Sequence, residues 1–164
     1  MRLLILRHGI AEEYSPDGND GSRRLTEQGE AQMKQVVAGL KRCARRPDVI
    51  LTSPLVRAVQ TAEYCAKAFD RKLTQLDELA GPDPAAVINA ISGRDEPTLM
   101  LVGHEPTLSR MVQILCTGKP SNGFVKMEKA SCACVVVDDD AVGAPAGRGQ
   151  IHWLLTAKMI EQLA

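Results

Sequence analysis

Aromatic residues are scarce in this chain: two tyrosines, two phenylalanines and one tryptophan make up 3% of its 164 residues. Net charge is missing as well, with twenty lysines and arginines balancing twenty aspartates and glutamates. Together these exclude the broad basic face and stacking rings of a nucleic-acid binder, so any anion site has to be local. No apolar run approaches the roughly 18 residues of a membrane span, and the four aliphatic residues before Arg7 fall far short of a signal-peptide core. The expectation is a soluble, cytoplasmic protein with no membrane partner. The cysteines, Cys43, Cys65, Cys116, Cys132 and Cys134, are odd in number and scattered through apparent helices and one strand. That pattern suits buried thiols in a reducing compartment better than a disulfide framework. Cys132 and Cys134 fall two apart in a strand and so share one face, which buried small side chains explain more simply than a metal.

What the sequence does contain is alternation. Short aliphatic runs near 2–6, 49–52, 98–102, 132–137 and 150–155, with a weaker one near 72–76, are separated by segments of helical period. Met33, Val36, Val37 and Leu40 share the i, i+3, i+4, i+7 spacing, as do Leu108, Met111, Val112 and Leu115; Leu55, Ala58, Val59, Ala62, Ala66 and Phe69 form a third apolar stripe. The expected fold is α/β: one domain over 1–164, a mostly parallel sheet with helices on both faces. Ser53-Pro54, Asp83-Pro84 and Glu105-Pro106 pair a capping group with proline and predict helices from about 54, 84 and 106. Two stretches rich in Gly, Pro and Asp, 12–24 and 138–150, predict mobile surface loops.

Two of the three histidines occupy matching contexts. His8 follows the run "LLILR" and His104 follows "LMLVG", each at the end of a strand, where ligands bind in open α/β sheets. Arg57 lies about one turn into the helix after the strand at 49–52, and a helical side chain leans back toward the N-terminus. Taken singly, each histidine also reads as a solvated or capping residue and Arg57 as a surface cation. Taken together, Arg7, His8, Arg57 and His104 converge on one sheet edge and suit a phosphoryl group. Arginine presents fork-shaped donors, and charge-assisted contacts contribute on the order of 1.5–3 kcal/mol each. A metal site on His8, His104 and His152 lacks Asp or Cys at ligand spacing, so no metal or other cofactor is expected.

Arg7-His8-Gly9, "RRLTEQG" (23–29), "LTSPLVRAVQTA" (51–62) and "LVGHEPTLSRMV" (101–112) stand in the order found in the histidine phosphatase superfamily, the phosphoglycerate-mutase-like enzymes. The chain resembles that superfamily over nearly its whole length. Its short length, its Gly-His-Glu-Pro and the terminal "WLLTAKM" (153–159) resemble the SixA-like phosphohistidine phosphatase branch. The resemblance implies that His8 is a nucleophile forming a phosphohistidine intermediate, with Arg7, Arg57 and His104 on the nonbridging oxygens. Arg23 matches an arginine ahead of the Leu-Thr motif in many relatives; it is a further phosphate-facing candidate, or a solvated loop residue. His8 has to be neutral to attack, and nearby guanidiniums lower its pKa; His104 serves as a donor, for which the imidazolium would suffice.

Larger relatives carry a carboxylate general acid and an inserted lid. Here Leu73 to Pro97 is too short for a lid, and its acids are weak candidates: Glu78, and Asp83, which a capping role explains equally. Glu105, before Pro106, is a third. A missing acid is tolerable if the leaving group is an imidazole released protonated, and an open site suits a phosphorylated side chain on another protein, such as a phosphorelay or phosphotransfer component. The alternatives are a small-molecule phosphomonoesterase of the same fold and a catalytically silent phosphate-binding module.

Overall fold

The computed structural model describes residues 1–120, 125–138 and 146–164. Six strands form one sheet in the order β3-β2-β4-β1-β5-β6: β1 Arg2–Arg7, β2 Val49–Thr52, β3 Leu73–Gln75, β4 Thr98–Gly103, β5 Cys132–Val137 and β6 Gly149–Leu155. β3, β2, β4 and β1 run parallel, while β5 is antiparallel to both its neighbours. The helices are α1 Glu27–Cys43, α2 Val56–Phe69, α3 Pro84–Ile91, α4 Thr107–Thr117 and α5 Ala157–Glu161. Between β3 and β4 lie only a short 3-10 helix, Asp77–Ala80, and the eight-residue α3, so no lid is inserted there.

Because side chains alternate across a strand, the apolar runs fill two cores at once. Leu4, Leu6, Ile50, Met100, Val102, Cys132 and Cys134 face one core with α1, α2 and α5; Leu3, Ile5, Leu51, Leu99, Leu101 and Ala133 face the other with α3 and α4. Cys132 and Cys134 thus share a buried face, and all five cysteines are free thiols. Among the described residues no helix is long and apolar enough to cross a membrane.

Several local expectations are corrected. α2 starts at Val56, not Pro54, and its N-cap position is Leu55, which offers no side-chain bond. Its buried face is Arg57, Ala58, Thr61, Ala62, Cys65 and Phe69; Leu55, Val59 and Ala66 are only partly buried, because the stripe is rotated to turn Arg57 and Thr61 inward. α4 begins at Thr107, within a residue of the expected start, after a cis Glu105–Pro106 peptide. The stretch 12–24 is not simply mobile surface: it holds a 3-10 helix, Asp20–Ser22, and a bridge between Ala11 and Leu25. Residues 139–145 of the second loop lie outside the described residues.

Candidate active site

The site follows from strand register. β1 and β4 are parallel neighbours with Arg7 opposite Gly103, so the next residues, His8 and His104, leave the sheet side by side. Adjacent strands lie about 4.8 Å apart, and the imidazole centroids are 5.0 Å apart, tilted at 52°. β2, on the other side of β4, ends at Thr52 opposite Val102, which puts Ser53 within reach of His104: Ser53 Oγ lies 2.8 Å from His104 Nε2.

His8 is held on all sides. Its N–H donates to Gly103 O at 3.1 Å, and its carbonyl accepts from Ala130 N–H at 3.1 Å. Gly9 N–H donates to Thr61 Oγ1 at 3.1 Å, and that hydroxyl donates to Arg57 O at 2.7 Å, so α2 fixes both Arg57 and the turn after the histidine. Gly9 sits close against α1: a Cβ there would lie 3.1 Å from Met33 Cγ, and that side chain would have to give by a few tenths of an ångström. His8 Nδ1 lies 2.8 Å from Gly9 O. A carbonyl only accepts, so Nδ1 carries the proton and the lone pair of a neutral ring sits on Nε2.

Neutrality is strongly enforced. Burial, with only a hydrogen bond to Gly9 opposing it, followed by the neighbouring His104, Arg57 and Arg7, brings the His8 pKa down to about 3. His104 is brought to about 4, chiefly by burial and then by Arg57. The imidazolium suggested for His104 is therefore not its resting form. Ser53 Oγ accepts from Leu55 N–H at 3.3 Å and also bonds to His104 Nε2, and because a hydroxyl has one proton and two lone pairs this bond fits either neutral tautomer of His104. His104 Nδ1 is buried without a hydrogen-bond partner among the described residues, as are Arg7 Nε and Arg57 Nε. Unpaired buried polar atoms are rare, because each costs about 1–3 kcal/mol, so three of them at one sheet edge are free to meet a polar ligand.

The guanidiniums are aimed by backbone. Arg7 Nη1 donates to Met127 O at 2.8 Å, and Arg57 Nη1 to Asp20 O at 2.8 Å. Asp20 also accepts from Arg57 Nη2 through Oδ2 at 3.0 Å and pairs through Oδ1 with Arg23 Nε at 2.8 Å. Arg23 thus joins the cluster through Asp20, with a further bond to Glu12 O at 3.0 Å. Three residues carry roles that the sequence alone does not show: Asp20, Thr61, and Ser53, whose hydroxyl bonds to His104 as well as to the Leu55 N–H at the start of α2.

The acid candidates are accounted for differently. Asp83 Oδ1 accepts from Ala85 N–H at 2.9 Å as the cap of α3. Glu105 accepts from Ser109 N–H at 3.2 Å and from the Ser109 hydroxyl, closing the first turn of α4. Glu78, in the 3-10 helix after β3, is partly buried. His152 is exposed on β6.

The model of the histidine phosphatase superfamily (branch 1) matches residues 3–81. An uncharacterised protein of Picosynechococcus sp. is 34% identical over 135 residues, 79% of this chain and 81% of that protein. The chain belongs to the histidine phosphatase superfamily. It is also similar to the phosphohistidine phosphatase SixA of Escherichia coli, 24% identical over 95% of this chain and 94% of SixA. A solved structure of the protein histidine phosphatase SixA complexed with tungstate superimposes with a TM-score of 0.79 at 24% identity, covering 96% and 98% of the two chains. The superfamily match ends at residue 81, before β4, so His104 comes to the site from the half beyond it.

Proposed function

We propose that this phosphatase of the histidine phosphatase superfamily hydrolyses phosphohistidine on a protein, through a covalent phosphohistidine at His8. The observation that carries the reading is a neutral His8 with a free Nε2, 5.0 Å from His104 and beside buried arginine donors that lack partners. Nε2 attacks phosphorus and the bond to the leaving group breaks, while Arg7, Arg57 and His104 take the nonbridging oxygens; Arg23 extends the cationic edge. Water then attacks the phosphorus on His8, giving phosphate and the free imidazole. Phosphoryl transfer depends mostly on positioning and charge stabilisation, and this cluster supplies both without a metal.

The leaving group favours phosphohistidine. An alkoxide needs a proton as it departs, and with the Asp83 and Glu105 carboxylates engaged in capping helices only Glu78 of the three acid candidates is left to supply it. An imidazole that is protonated on its other nitrogen leaves without such help. With no lid between β3 and β4, a side chain carried by another protein can reach His8. The test compares kcat/KM for a histidine-phosphorylated phosphotransfer protein with a panel of sugar phosphates, in buffer containing chelator. The phosphoprotein is expected to be preferred by at least about a hundredfold, the scale of one lost proton donor. Preference for a sugar phosphate would assign a small-molecule phosphomonoesterase instead.

A further inference from the structure

The cationic cradle carries its own anion. Asp20 is set by a run of short-range bonds: Ser15 Oγ donates to Asn19 O at 2.6 Å, Asn19 N–H to Asp17 Oδ1 at 3.0 Å, and Gly21 N–H to Asn19 Oδ1 at 2.9 Å. These shape the 3-10 turn, from which Asp20 meets Arg57 of α2 through both its carbonyl and its carboxylate, and Arg23 through the other carboxylate oxygen. Arg57 is 5% exposed, whereas the Asp20 side chain is 67% exposed. One largely solvated carboxylate is therefore shared by two guanidiniums, and it grips the far end of the Arg57 fork while Nε stays without a partner. Partial burial works against its ionisation, but the hydrogen bond and charge of Arg57 and the charge of Arg23 hold it below the usual carboxylate range. No step of the reaction above uses Asp20.

We infer that Asp20 is the resident counter-anion of the phosphoryl site, lowering the cradle's affinity for phosphate so that product departs. The inference rests on the phosphatase reading. Arginines that hold a transferring phosphoryl group hold the product phosphate too, and binding shared equally by both does not speed the chemistry. A carboxylate beside Arg57 and Arg23 cancels one of their charges and repels a phosphate dianion at short range. Its hydrogen bonds meanwhile keep the Arg57 plane oriented.

The experiment is calorimetric titration of inorganic phosphate into wild type, Asp20→Asn, Asp20→Glu and Arg57→Ala at one pH and ionic strength. Asparagine keeps an acceptor for Arg57 and removes the charge, so its Kd is expected to fall on the order of tenfold, while glutamate stays near wild type. Unchanged or weaker binding by Asp20→Asn, with binding lost in Arg57→Ala, overturns the counter-anion and leaves the phosphate site standing. Equal tightening by Asp20→Glu also overturns it, because charge is then not the cause. Phosphate binding to Arg57→Ala as tight as to wild type brings down the phosphate site itself, and this inference with it.

Discussion

His8 shows how one side chain is prepared by its neighbours. Its Nδ1–H is committed to Gly9 O, its backbone is tied to β4, and its pKa is brought to about 3, first by burial. In the unfolded chain the same imidazole takes up a proton below about pH 6.5. Between those limits the unfolded state binds more protons than the folded one, so stability is expected to fall as pH drops from 6.5 toward 3, and His8 adds no slope below that. At 1.36 kcal/mol per pH unit, His8 alone contributes a loss of about 2 kcal/mol between pH 7 and pH 5. Denaturant unfolding at the two pH values checks this: His8→Asn should show a shallower decline than wild type. In NMR titrations the ring resonances of His8 and His104 should stay flat from about pH 8 to pH 5; an inflection near the ordinary histidine value would contradict their enforced neutrality.

At the scale of elements, the strands were legible because four-to-six-residue aliphatic runs ending at Arg7-His8 and Gly103-His104 have few other readings. The ends of helices were less so. Ser53-Pro54 has the form of a cap and first turn, yet Leu55 sits at the N-cap position and the Ser53 hydroxyl is drawn to His104, a partner from another strand. Asp20 was opaque for the same reason: an aspartate among glycines and asparagine reads as loop chemistry, and nothing local shows that it meets an arginine 37 residues away. Asp83 was legible because its cap is a local bond, to Ala85. Close packing of elements was likewise hidden. Gly39 lies inside α1, where glycine costs about 1 kcal/mol relative to alanine. A Cβ there would collide with the backbone carbonyl of Ile160 in α5, so the glycine is what lets the two helices touch. Gly39→Ala is expected to destabilise by about 1–3 kcal/mol despite its better helix propensity, measured as a lower denaturant midpoint. A rise in the midpoint would mean that α5 shifts away freely.

For the whole molecule, sheet order converts distant sequence into one site. β1 and β4 are adjacent only because the chain crosses over between them, and β2 lies on the far side of β4, so His8, His104 and Ser53 leave consecutive parallel strands at the same level. α2 adds Arg57, and Asp20 couples Arg57 to Arg23. The superfamily membership and this geometry agree on phosphoryl chemistry, and the central claim is that the chemistry passes through His8. The direct measurement is rapid quenching of wild type and His8→Ala after mixing with a radiolabelled histidine-phosphorylated phosphotransfer protein, followed by locating the label. The account predicts an acid-labile, alkali-stable phosphoryl group on His8 of wild type, and neither label nor turnover in a folded His8→Ala. Turnover at the wild-type rate by His8→Ala, or label on another residue, would contradict it.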